Sequence, residues 1–112
     1  MMTNEEINKL SDKQLAIAIA KALYIYHSDG NYRSVRVWNP GMQAQIEEKD
    51  YCNNWNDLMP LVVEYGIVHS RDTAQFHAHS YFYDNCKTSN NSLNRALAEC
   101  LLKVLIEKNK TN

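Results

Sequence analysis

Thr73-Ala74-Gln75-Phe76-His77-Ala78-His79-Ser80-Tyr81-Phe82-Tyr83 is the stretch that decides the fold. Gln75, His77, His79, Tyr81 and Tyr83 share one parity, and Ala74, Phe76, Ala78, Ser80 and Phe82 share the other. Successive side chains of an extended chain point to opposite faces, so the alternation predicts a strand. Its two chemically different faces predict an antiparallel sheet, covered on one side and wet on the other. A short strand over Ile67 to His69 is expected beside it, whereas Asp84 to Asn91 is polar and turn-rich and reads as a loop.

Downstream, Ser92 opens a helix of about 16 residues that should pack on this sheet. Leu93, Ala96, Leu97, Cys100, Leu101, Val104 and Leu105 form its apolar face, and Arg95, Glu99, Lys103 and Glu107 a charge ladder opposite. Lys108 to Asn112 reads as a frayed tail. Upstream, Asn53 is expected to cap a helix over about 54 to 65, with Asp57 near its positive end, Gly66 as terminator and Pro60 loosening one turn. Trp55 is expected to anchor that helix in the core.

Further upstream, Ser11-Asp12-Lys13-Gln14 has the chemistry of a capping box, with Leu10 able to staple onto Leu15. Leu15, Ile19, Ala22, Leu23 and Tyr26 then recur at helical spacing, and Ser28-Asp29-Gly30-Asn31 should end this helix. Tyr32 to Trp38 alternates as a strand, with Val35 and Val37 on one face and Tyr32, Ser34, Arg36 and Trp38 on the other. Asn39-Pro40-Gly41 suits a tight turn into a second strand through Met42, Ala44 and Ile46. The fold class that follows is α+β: a three-layer α-β-α sandwich of about three helices on a largely antiparallel sheet. The predicted core is Leu15, Ile19, Val35, Val37, Trp55, Leu58, Val62, Phe76, Phe82, Leu97, Leu101 and Val104.

The chain of 112 residues is long enough for one domain with a core that needs no staples, and 45% apolar against 22% charged residues places it among globular proteins. Twelve basic and 13 acidic groups are interspersed, which argues against a duplex nucleic-acid partner. Met1 to Leu10 is polar, without the apolar core of a signal peptide, and no run approaches the length of a membrane span. A cytoplasmic location with no membrane partner is expected. Cys52, Cys86 and Cys100 are odd in number and lack a C-x-x-C pairing, so they are read as reduced thiols.

Asp50-Tyr51-Cys52-Asn53-Asn54-Trp55-Asn56-Asp57-Leu58-Met59-Pro60-Leu61-Val62, followed by Asn91-Ser92-Leu93-Asn94-Arg95-Ala96-Leu97-Ala98-Glu99-Cys100-Leu101, resembles the small phage and prophage proteins of the phage ABA-sandwich family. The shared features are a tyrosine, a short polar cap, a tryptophan opening a helix, and a terminal helix with an Arg-Ala pair. Ser92-Leu93 stands where that family commonly has a proline. The resemblance implies a single layered α-β-α domain over 1–112 and a phage source, hence the cytoplasm of a host. It carries no catalytic residue.

Two constellations suggest a site. Tyr32, Arg36 and Trp38 alternate aromatic planes with a guanidinium, chemistry suited to a base and a phosphate. His77 and His79, with Tyr81, project from one strand face, and His69 could join them as a metal ligand, although no third ligand stands at diagnostic spacing. Nucleophile elbow, phosphate loop and dinucleotide fingerprint are all lacking, so no catalytic residue, metal or cofactor is assigned. The expectation is a non-catalytic phage accessory protein able to form a homo-oligomer. It would counter host defence by sequestering a nucleotide-type signal or by blocking a host protein. A small metal-dependent or Cys/His hydrolase, and a structural or regulatory phage protein, are the alternatives.

Overall fold

The computed structural model describes residues 3–27, 35–39 and 45–110. Tyr32 and Ser34 of the proposed ligand face lie outside them, as do the helix-ending residues 28–31, Pro40 and Gly41 of the turn, and Met42 and Ala44.

The architecture is an α+β sandwich built around its last helix. α4 spans Leu93–Lys110, and every residue from Ala96 to Leu102 is buried. A helix covered round its whole circumference is an interior element rather than one resting on a surface. On one side lies an antiparallel sheet of β3 (Ile67–Arg71), β4 (Phe76–Ser80) and β5 (Lys87–Asn90), in that order. Against other parts of α4 pack α2 (Asp12–Ala22) and α3 (Trp55–Glu64). A separate antiparallel ribbon, β1 (Val35–Asn39) with β2 (Gln45–Lys49), sits against α2.

The strand of the deciding stretch is shorter than its alternation, because Asp72 turns the chain at one end. Asp72 Oδ1 accepts from the amides of Ala74 and Gln75 at 2.7 and 2.8 Å, a side-chain turn that competes with sheet pairing. Ala78 and Ser80 face α4 and are buried, while His77 and His79 face outward as the parity predicts. β5 is a strand where the sequence predicts a loop. Its sequence Lys87-Thr88-Ser89-Asn90 carries no apolar alternation, and what holds it is tertiary: buried Thr88 donates its hydroxyl to Ala96 O at 2.7 Å.

The capping box of α2 forms as predicted, with Ser11 Oγ accepting from Gln14 N and Gln14 Oε1 accepting from Ser11 N. The helix stops at Ala22, short of Tyr26. Tyr24 adopts φ 60°, and the amides of Tyr24 and Ile25 donate back to Lys21 O and Ala20 O, which is a Schellman ending without its usual glycine. The chain then runs beside β1, where Trp38 N donates to Ile25 O and His27 N to Arg36 O.

A further helix, which the sequence reading does not predict, precedes α2. α1 (Asn4–Lys9) starts with a Thr3–Glu6 capping box and buries Ile7, its only apolar residue. α1 also borders the charge ladder of α4, with Asn8 Nδ2 donating to Glu99 Oε1 at 3.5 Å and Arg95 reaching Ile7 O. Glu99 is therefore 2% exposed, not solvated, and takes hydrogen bonds from Arg95 Nε at 2.8 Å and Asn90 Nδ2 at 3.2 Å. The expected frayed tail is helical to Lys110, and Asn109 Nδ2 caps the end of α2 through Ala22 O.

Of the predicted core, Leu15, Ile19, Val35, Val37, Leu58, Val62, Leu97, Leu101 and Val104 are buried, and Phe76 is half-buried. Trp55 and Phe82 are corrections at 42% and 67% exposed. Trp55 opens α3 at the rim of the sandwich, before the helix reaches the core through Leu58. Phe82 lies beyond the end of β4. The cap of α3 is Asn54, whose Oδ1 accepts from Asn56 N, one residue later than expected.

Candidate functional site

Three surfaces bear on function. The first is the outer face of the β1–β2 ribbon. Val35 and Val37 turn inward, leaving Arg36 and Trp38 on the opposite face, and register places Glu48 across from Arg36 and Ile46 across from Trp38. Trp38 packs edge-on against His27, with ring centroids 4.8 Å apart. A guanidinium with a carboxylate facing it across the strands is a weakened receptor for phosphate, since the Coulomb attraction is already partly answered. Tyr32, the third member of this constellation, lies outside the described residues.

The second is the outer face of the three-stranded sheet. His79 and Tyr81 meet edge to face at 6.0 Å. His77 does not turn towards His79: its Nε2 lies 2.6 Å from Asp72 Oδ2, and its Nδ1 2.6 Å from Ser89 Oγ. His69 pairs across the strands with Ala78, on the helix-facing side of the sheet, so the alternation that unites His77 and His79 separates His69 from both. No group of three histidine, cysteine, aspartate or glutamate side chains suited to a metal occurs among the described residues.

The contact of Asp72, His77 and Ser89 is not legible from the sequence, whose alternation groups His77 with His79. The available signal was Asp72-Thr73-Ala74, an aspartate able to close a turn just before a strand. The Ser89 half depends on β5 being a strand at all.

The third surface is the outer flank of α3. Trp55, Met59 and Val63 follow one another at helical spacing beside the buried stripe of Leu58 and Val62. With Asn56 and Pro60 they line a shallow hollow of about 460 Å³. Pro60 contributes apolar surface here, and its missing amide costs least on a solvent-facing turn. Just past the end of α3, Phe82 rests on Gly66, and both Phe82 and Tyr81 are largely exposed. Exposed apolar side chains gathered around a hollow, as Trp55 and Val63 are, have the character of a contact site.

The cysteines are unsuited to nucleophilic work. All three are buried, and burial pushes the Cys52 and Cys100 thiols up to about 12 and raises that of Cys86. At neutral pH they are protonated, and the thiolate is the reactive form. Tyr51 and Arg95, two residues carrying the phage resemblance, have structural surroundings. Tyr51 is buried, and Arg95 reaches the carbonyls of Ile7 and Leu10 and the carboxylates of Asp12 and Glu99. No helix among the described residues is long and apolar enough to cross a membrane. Comparison with known protein families and with curated proteins finds no match for the chain.

Proposed function

We propose that this chain is an accessory protein that works by binding a partner protein through the outer flank of α3. The observation that carries the reading is the row Trp55, Met59 and Val63, exposed at Trp55 and Val63 and half-buried at Met59, around a hollow wide enough to receive an apolar side chain. A partly exposed tryptophan at the edge of a preformed depression has the character of a binding hot spot, because its large rigid surface can be desolvated at little entropic cost. The setting in a phage or prophage rests on the sequence resemblance alone. Within it, blocking a host protein suits the apolar flank of α3 better than sequestering a nucleotide suits the Arg36–Trp38 ribbon.

Affinity capture of tagged wild type and of a Val63→Glu variant from bacterial cells, followed by titration with the purified partner, tests the reading. Val63 is 72% exposed, so a glutamate there should leave the melting temperature unchanged. A partner whose Kd weakens at least about tenfold with Val63→Glu and with Trp55→Ala supports the proposal. A partner indifferent to both substitutions overturns it. A rise in melting temperature with cyclic dinucleotides or ADP-ribose derivatives would favour the small-ligand reading instead.

A further inference from the structure

Asp72, His77 and Ser89 form one hydrogen-bonded series across the outer sheet face, and their polarity is set by chemistry. Asp72 receives the amides of Ala74 and Gln75 on Oδ1 and the imidazole on Oδ2, and the imidazole hydrogen bond, followed by those amides, holds its carboxyl well below the usual carboxylate range. An ionised carboxylate can only accept, so Nε2 of the neutral ring carries the proton. Nδ1 is then the lone-pair nitrogen, and the Ser89 hydroxyl donates to it at 2.6 Å. An acid fixes the tautomer of a base, and the base receives a serine hydroxyl: this is the arrangement of an activated nucleophile, reached here with the two ring nitrogens exchanged.

Sheet phase explains why the contact is close and where it opens. Ser80 N donates to Cys86 O, so hydrogen-bonded and non-hydrogen-bonded pairs alternate from there, and His77 with Ser89 falls on a non-hydrogen-bonded pair. Such pairs bring opposing side chains nearest. The same phase turns the Ser89 amide away from β4, towards the open edge of the sheet. At that edge, a groove of about 500 Å³ lies between β5 and α1, lined by Ser89 with Asn8, Lys9, Lys87, Thr88 and Glu99 among others.

We infer that Ser89 is a nucleophile for acyl transfer from small carboxylic esters, with His77 as its general base and Asp72 as the residue positioning His77. Ser89 Oγ attacks the ester carbonyl carbon while its proton passes to His77 Nδ1. The carbonyl oxygen gains the negative charge, on the side where the Ser89 amide can donate to it. The carbon–oxygen bond to the alcohol then breaks, and the departing alkoxide takes the proton from His77. Water attacks the acyl-serine, gives its proton to His77 Nδ1, and releases the acid as Ser89 Oγ recovers that proton. This activity is independent of partner binding on α3.

The test is active-site titration of the purified protein with a fluorophosphonate, with p-nitrophenyl acetate as substrate. The expected results are one phosphonyl group per chain, mapped to Ser89, and ester turnover lost in Ser89→Ala. In His77→Gln, labelling should slow by about two orders of magnitude or more, the contribution of a general base. Asp72→Asn should also slow labelling while preserving the turn, because its side-chain oxygen still accepts from the Ala74 and Gln75 amides. Circular dichroism and melting curves confirm that each variant is folded. No adduct on Ser89 in folded wild type, or equal labelling rates in wild type and His77→Gln, overturns the inference. An adduct at another serine does the same.

Discussion

The Phe82 ring closes over Gly66 so tightly that a β-carbon at position 66 would stand 2.7 Å from Phe82 Cε2. Gly66 also adopts φ 65° at the end of α3, and its carbonyl accepts the Tyr81 amide at 2.9 Å. One glycine therefore ends a helix, starts the pairing of the sheet and seats an aromatic ring. Gly66→Ala should cost about 1–2 kcal/mol for the left-handed backbone, plus whatever is needed to displace the ring. In a Phe82→Ala background only the backbone part should remain. Urea unfolding of the four proteins measures the difference, and strict additivity would show that the ring is not constrained by Gly66.

Tyr24 holds the corresponding position at the end of α2, also left-handed, yet it bears a side chain 82% exposed. Glycine pays no β-carbon penalty there, so Tyr24→Gly should stabilise the protein by about 0.5–1 kcal/mol after allowing for the greater freedom of glycine in the unfolded chain. A lowered melting temperature would mean that the tyrosine ring makes a compensating contact.

Arg95 joins α1, α2 and α4 through Ile7 O, Leu10 O, Asp12 and Glu99. Removing it leaves the carboxylate of Glu99 buried without its cation. Arg95→Met should therefore cost on the order of 3 kcal/mol or more, and Glu99→Gln in that background should recover part of the loss. Denaturant titration of the single and double variants provides the comparison.

Asp72 has its carboxyl lowered in the folded state. A lowered group stabilises the fold fully above its unfolded pKa, near 3.9, and that contribution is lost as pH falls through the lower folded value. Hydrogen exchange at the Ala74 and Gln75 amides should accordingly show protection that declines below about pH 4 relative to neighbouring strand amides. Asp72→Asn should remove this pH dependence while keeping the turn.

The three thiols should be silent in the native state. At pH 8, reaction with a disulfide reagent should be at least about a hundredfold slower than in denaturant, because Cys52 and Cys100 are buried, with pKa values near 12. Rapid native labelling of any one thiol would reveal local opening around α4.

What the sequence determined by itself was whatever local periodicity and capping can encode. Ser11 with Gln14 announces a helix start because both partners of the capping box lie within four residues. Phe76 to Ser80 announces a strand because neighbouring residues alternate in polarity, and Val35 with Val37 does the same. The apolar positions of α4 were also readable, though not that the helix is enclosed, since one row of apolar residues cannot say how many neighbours will cover the rest.

Tertiary structure decided the remainder. The Thr3–Glu6 capping box marks a helix start, but Ile7 alone gives α1 no apolar stripe, and Lys87 to Asn90 has no pattern of its own; each forms where α4 and the sheet offer a place for it. Glu99 became buried among Arg95, Asn90 and Asn8, drawn together from three elements, while Trp55 stayed at the rim because the core begins at Leu58. Asp72, His77 and Ser89 met for the same kind of reason: a turn places the acid, and a polar edge strand brings the serine across from the histidine. Local sequence sets which face a side chain points to, but only strand pairing and helix packing set what stands opposite it.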